Sequence, residues 1–260
     1  MPSSPPRTHA TTETALSVVD AVADLESPTV SEVADELDMA VSTAHKHLQT
    51  LLENGLVVRE DEQYQLGLKL FHLGTAAKRR NPTFMLAREK TYDIADRTSE
   101  VVNFSVLENG RAITLFDSLD TGTLKGFQRG EYFFLHSSAA GKAMLAEMTT
   151  AQIDAVIEQW GLPKQTEFTI TDRETLEEEL AQVRRRGYAV NEQESWENLK
   201  AVAVPVRDSD GEIIGAMDIS GPPHRISYER SIARTLSRGV EELERAIQSH
   251  TVLESRWNER

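Results

Sequence analysis

The sequence predicts an α+β chain in two parts, and three observations carry that prediction. Apolar residues recur at helical spacing as far as Leu52, then give way to two short extended runs around a polar turn. Asn81-Pro82 then breaks the pattern. Beyond it extended runs come first, helical runs stand between, and extended runs return, the order of helices laid on an antiparallel sheet.

In the first part, residues 14–25 place Leu16, Val19, Val22, Ala23 and Leu25 close to helical spacing, and Pro28 ends the run. Thr29 stands three residues ahead of Glu32, a capping-box arrangement that opens a second helix burying Val33, Ala34 and Leu37. After Met39-Ala40-Val41, Ser42 is the expected N-cap of a third helix, with Ala44, Leu48, Leu51 and Leu52 on one face and Asn54-Gly55 closing it. Residues 56–59 and 64–66 flank the turn Glu60-Asp61-Glu62-Gln63 as a hairpin. Helix, helix, turn, helix, hairpin is the order of a winged helix-turn-helix, placed at residues 14–67 behind a Pro/Ser/Thr-rich tail (1–13) expected to be disordered. Residues 68–82, with Leu68, Leu70, Phe71 and Leu73, form a linker helix.

The second part, residues 83–260, opens with a helix over 84–98 and a hairpin of 101–107 and 112–119 around Asn109-Gly110. A third extended run is expected over 123–128. Helices follow at 136–148, 150–160 and 172–186, the last closed by Gly187. Strands return at 188–191, 201–207 and 212–220, and a closing helix runs from 226 to about 253.

Composition limits function. The 260 residues carry 42 Asp+Glu against 28 Lys+Arg, a formal charge of −14, which by itself argues against a partner rich in phosphate. Cysteine is absent, which excludes disulfides, thiolate catalysis and Cys-ligated zinc. No apolar run approaches the roughly 20 residues of a membrane span, and the N-terminus lacks the apolar core of a signal peptide, so a cytoplasmic location without membrane contact is expected. With 20 Arg, only 8 Lys and abundant carboxylates, the composition resembles that of salt-adapted, haloarchaeal-like proteins, in which screening weakens repulsion among surface acids.

Three ordered blocks resemble the IclR family of transcriptional regulators: the winged helix ending in Tyr64-Gln65-Leu66-Gly67, the stretch Leu135-His136-Ser137-Ser138-Ala139-Ala140-Gly141-Lys142-Ala143-Met144-Leu145-Ala146, and Ala201-Val202-Ala203-Val204-Pro205-Val206 with Gly215-Ala216-Met217-Asp218-Ile219-Ser220-Gly221-Pro222. The resemblance spans roughly residues 14–250. It implies a homodimer or homotetramer whose winged helix binds a palindromic double-stranded DNA operator. It also implies a GAF-like effector domain that binds a small metabolite, often an organic or aromatic acid.

On that reading the third helix is the recognition helix. Its outward residues hold no carboxylate before Glu53, although residues 1–80 together net −5. Thr43, His45, Lys46 and Gln49 are candidates for base edges, and Thr29, Ser42 and the wing residue Arg59 for phosphates. An ordinary amphipathic core helix with neutral polar exposure is the plainer alternative. His45 and His47 lie two apart, on different helix faces, so no shared metal is expected.

Mapped by motif, the resemblance places Ala140, Gly141, Asn191, Ala201, Asp218 and Ser220 in the effector site, with Leu124 and Phe127 as an apolar wall. Small residues at a helix start let backbone N–H groups approach an anion. Asp218 stands where the family often has a small polar residue, and an unpaired carboxylate there would repel a compact acid, which points to a polyol-like or sugar-acid ligand. Simple strand-end hydrogen bonding is the alternative for Asn191 and Ser220, and a structural cap the alternative for His136. Trp160 and Trp196 are expected to be packing residues, and Arg184-Arg185-Arg186 a solvated helix end.

No cofactor is expected and no catalytic residue is assigned: there is no phosphate loop, nucleophile elbow or zinc-protease motif. An enzyme on residues 82–260, or a ligand-free oligomerisation domain behind a DNA-binding module, are the competing readings.

Overall fold

A computed structural model describes residues 8–119 and 130–258, the side chains of 250–258 excepted. The chain divides at Arg80 and Asn81 into two compact units.

The first unit holds α1 (Ala10–Asp24), α2 (Val30–Glu36), α3 (Val41–Glu53), the hairpin β1 (Val57–Glu60) and β2 (Gln63–Leu66), and α4 (Lys69–Arg79). Val18, Val33, Ala44, Leu48 and Val57 are sealed from solvent and join the three helices to the hairpin in one small core. α1 starts four residues before the expected residue 14, because its first turn is polar and carries no apolar periodicity. The capping box forms: Thr29 N and Oγ1 donate to Glu32 Oε2, and Glu32 N returns a bond to Thr29 Oγ1. Thr29→Ala is therefore expected to lower the stability of this unit by about 1 kcal/mol. An unchanged denaturation midpoint in the full chain would contradict that.

The start of α3 corrects the sequence reading. Its N-cap is Ala40, whose carbonyl accepts from Thr43 N and Ala44 N, and Ser42 lies inside the first turn with no capping bond. The turn decides this register: Asp38 has φ +47° and Met39 N bonds back to Ala34 O, so the chain enters α3 before Ser42 is reached. At the other end, Gly67 N donates to Leu56 O, and a Cβ at Gly67 would fall 2.2 Å from the Gly55 carbonyl oxygen. α4 buries no residue and leaves Leu68 and Phe71 85% and 75% exposed.

The second unit holds α5 (Thr83–Thr98), β3 (Val101–Glu108), β4 (Arg111–Asp117), β5 (Tyr132–Phe133), α6 (Ala139–Glu147), α7 (Thr150–Trp160), α8 (Arg173–Arg186), β6 (Ala189–Glu192), β7 (Lys200–Arg207), β8 (Ile213–Gly221) and α9 (Glu229–Asn258). The strands form one antiparallel sheet in the order β5-β4-β3-β8-β7-β6. Strand alternation gives it two faces. Val102, Phe104, Val106, Val202, Val204, Met217 and Ile219 pack with α5 and α9, whereas Ala201, Ala203 and Ala216 pack with α6 and α8. β5 is absent from the sequence reading because two residues carry no periodicity. The run expected at 123–128 lies outside the described residues.

α6 also begins later than expected. Ser138 is its N-cap, with Oγ accepting from Gly141 N, so His136 stands ahead of the helix and does not cap it; His136 Nε2 lies 3.1 Å from Pro163 O instead. α9 likewise starts at Glu229, not 226. Two surface expectations change as well. Trp196 is 43% exposed and so is not a packing residue, while Trp160 donates to Asn109 O. Arg184 binds Ala146 O and Arg186 binds Glu179 and Tyr188 O, so the arginine run is only partly solvated. Among the described residues no helix is long and apolar enough to cross a membrane.

Candidate functional site

Two regions concentrate the predicted site residues, one in each unit. In the first, α3 turns Ala44, Leu48 and Leu51 inward, which leaves Ser42, Thr43, His45, Lys46 and Gln49 exposed on the opposite side. Among the described residues Ser42, Thr43, His45 and Lys46 form no side-chain hydrogen bond or ion pair, so their donors and acceptors are available to a partner. Gln49 differs, since its Nε2 donates to Glu53 Oε1.

The two outlying candidates are more committed. The Thr29 hydroxyl is held in the capping box. Arg59 folds back on the wing: its Nε donates to Asp61 O, its guanidinium pairs with Glu62 at 2.8 Å, and it lies 5.7 Å from the Tyr64 ring centroid. The wing tip, Glu60-Asp61-Glu62, thus presents acid and keeps its one cation to itself.

In the second unit, the α6-facing side of the sheet carries a polar strip that interrupts an otherwise apolar interior. Asn103 on β3 pairs in register with Asp218 on β8, and Ser220 with Ala201 on β7, which in turn opposes Asn191 on β6. Asn103 Nδ2 donates to Asp218 Oδ2 at 2.8 Å and to Ser220 Oγ at 3.0 Å. Asp218 is 5% exposed, and Oδ1, its second oxygen, has no hydrogen-bond partner among the described residues. Burial pushes its carboxyl up to about 7, against a smaller opposing effect from the Asn103 hydrogen bond.

Ala140, Ala201 and Gly141 are buried where α6 meets this strip. Gly141 is required there by packing: a Cβ would meet the Leu135 carbonyl oxygen at 2.3 Å. Its N–H is spent on Ser138 Oγ, and Lys142 N on Ser138 O, which leaves the Ser138, Ala139 and Ala140 N–H groups without a partner among the described residues at this helix start. Asn191 is fully buried and committed to its own turn, with Nδ2 donating to Ser195 Oγ and Oδ1 accepting from Glu194 N. Leu124 and Phe127 lie outside the described residues.

The sequence reading missed Asn103. In Val102-Asn103-Phe104-Ser105-Val106 the two polar residues alternate with large apolar ones, a signal that one face of the strand looks onto something polar. It also missed what the turn after Asn191 does. That turn delivers Glu194 Oε1 to within 2.5 Å of Lys142 Nζ, with Glu179 at 3.5 Å, and both Lys142 and Glu194 are buried. Burial holds the Glu194 carboxyl above its ordinary range, with Lys142 opposing.

Comparison with known proteins finds a match for each of the two units. Residues 11–61 match the model of the IclR helix-turn-helix domain, and residues 76–248 match that of the bacterial transcriptional regulator IclR C-terminal domain. The regulator BhcR of Paracoccus denitrificans is 34% identical over 83% of this chain and 78% of its own. The Thermotoga maritima IclR crystal structure superposes with a TM-score of 0.76 at 28% identity, over 92% of this chain and 98% of that one. An IclR homologue from Microbacterium hydrocarbonoxydans, solved in complex with 4-hydroxybenzoate, shares the fold with a TM-score of 0.75 at 23% identity, over 91% and 100% of the two chains.

Proposed function

Because the chain belongs to the IclR family of transcriptional regulators, we propose that α3 reads the major groove of an operator and that the polar strip under α6 binds the small molecule that controls this binding. It is a DNA-binding regulator and not an enzyme. The observation that carries the DNA reading is the exposed row Ser42, Thr43, His45 and Lys46, without side-chain partners among the described residues and on a helix with no carboxylate before Glu53, in a chain of charge −14. Lys46, His45 and Thr43 are assigned to base edges and Ser42 to phosphate; Gln49 joins them by exchanging Glu53 for a base, and Thr29 and Arg59 act only after leaving their internal bonds. The exposed apolar residues Leu68, at the N-cap of α4, and Phe71 within it support a homodimer, which would set two α3 helices on half-sites about 34 Å apart. An organic or sugar acid is the proposed effector, since the Ser138, Ala139 and Ala140 N–H groups, without a partner among the described residues, favour an anion. A cytoplasmic location follows from the regulator role.

Footprinting on the DNA upstream of the protein's own gene tests this directly. Protection is expected, and Lys46→Ala should weaken it. No protected site with folded protein present would refute the reading. The charge adds a second expectation. With residues 1–80 at −5 and Arg59 neutralised by Glu62, few counterions are released on binding. The slope of log K against log [KCl] should therefore be shallow, and a slope of about −8 or steeper would contradict it.

A further inference from the structure

Resting on the effector-site reading above, we propose that Asn103 and Asp218 are the specificity-determining pair of that site. Asp218 enters the complex as a carboxylic acid, so that an anionic effector binds together with one proton.

The argument begins with charge. Asp218 is buried, takes one hydrogen bond from a neutral amide, and leaves Oδ1 without a partner among the described residues. Its register neighbours are Asn103 on β3 and Ala203 on β7, neither of them charged. Among the described residues, the titratable groups of the surrounding elements that carry a cation are engaged elsewhere. Lys142 of α6 is held by Glu194 and Glu179, and Lys200 at the start of β7 by Glu192 and Glu229. Glu147, at the end of α6, pairs with Arg207 of β7. Arg111 of β4 stacks over Tyr132, Phe134 and Trp160. His136, ahead of α6, is held below its usual range mainly by burial and so is neutral at pH 7 and above. Asp117 of β4 lies opposite Asn103, half-buried, and adds acid rather than a cation.

An effector carboxylate entering this strip meets a carboxyl group and no described lysine or arginine to neutralise the two. Two like charges in a low-dielectric site do not both stay ionised. The one with the lower cost of protonation takes a proton from solvent, and Asp218, already displaced towards neutrality by burial, is that group. Protonated Asp218 then has an O–H to donate to the effector, while Oδ2 keeps the Asn103 bond. Asn103 acts as a positioning residue: it orients the carboxyl and, by donating to it, holds its proton affinity down.

Calorimetric titration of the full chain tests this, using a panel of glycolate, D-gluconate and 4-hydroxybenzoate with uncharged polyols of matching size. Titrations at pH 8 in two buffers of different ionisation heat give the number of protons taken up. A carboxylate is expected to bind with uptake of close to one proton at pH 8 and little at pH 6. Its affinity should fall about tenfold per pH unit above 7. Asp218→Asn should abolish the uptake and flatten the pH profile. Asn103→Ser should move the onset of uptake to higher pH, a change that loss of packing alone would not produce.

Carboxylate binding without proton uptake, or uptake that persists in Asp218→Asn, overturns the proposal and leaves the effector-site reading standing. Binding of polyols alone does the same. Failure of every compound, charged or not, to bind overturns both.

Discussion

Lys142→Met is expected to destabilise the unit of residues 81–260 by about 3–5 kcal/mol near pH 8, the loss that follows removal of one partner from a buried ion pair. Lys142 is 1% exposed and Glu194 6%, and Glu194 Oε2 already has no partner among the described residues. Without the ammonium group, only the weak Glu192 N–H bond to Oε1 is left among the described residues to offset the desolvation of Glu194. Its carboxyl, held high by burial even with Lys142 present, then rises further. A raised folded-state pKa favours the protonated form, so stability is lost as pH rises through it and recovered as pH falls. The destabilisation should thus shrink towards pH 5. Lys142→Met/Glu194→Gln removes both charges and should be more stable than the single variant. Denaturant unfolding at pH 5 and pH 8 provides the measurement, and a double variant no better than Lys142→Met would show that packing, not charge, dominates.

Asp218→Asn should act in the opposite direction. The Asp218 carboxyl, pushed up to about 7 in the fold from 3.8, binds its proton more tightly in the folded than in the unfolded chain. Stability from that proton is complete below pH 4, declines between pH 4 and 7, and is gone above. Roughly three pH units correspond to about 4 kcal/mol. Asparagine cannot ionise and can still accept the Asn103 hydrogen bond through its carbonyl oxygen. At pH 8 the variant is expected to melt higher, by on the order of 10 °C for a unit of this size, with the gap closing towards pH 4. Equal melting temperatures at pH 8 would mean that the buried carboxyl costs the fold nothing. Such a burden is what the effector role proposed for Asp218 would account for.

Much of the architecture was legible because it depends on local periodicity. The capping box at Thr29, the glycine stop at Gly187 and the apolar faces of α3 and the paired strands are written in residue spacing. What escaped depends on the three-dimensional setting. Ser42 looks like a cap, but the turn at Asp38 fixes where α3 starts. Arg59 looks free until the hairpin brings Glu62 beside it. Asn103 and Asp218 lie 115 positions apart, and only strand pairing makes them a hydrogen-bonded pair. Gly141 was read as one of the small residues that open a helix start to an anion, and the close Leu135 backbone adds a packing reason for glycine that only the fold shows.

The joint between Gly55 and Gly67 bears on how such regulators can be recombined. With 2.2 Å between a Cβ at Gly67 and the Gly55 carbonyl oxygen, the end of α3 and the exit from the wing tolerate only matched neighbours. A hybrid spliced inside residues 55–67 would bring halves of that contact from different parents. Splicing at Arg80 and Asn81, where the units divide, carries the joint over intact. Operator preference should therefore pass between homologues as an undivided cassette, with the effector unit exchanged whole behind it.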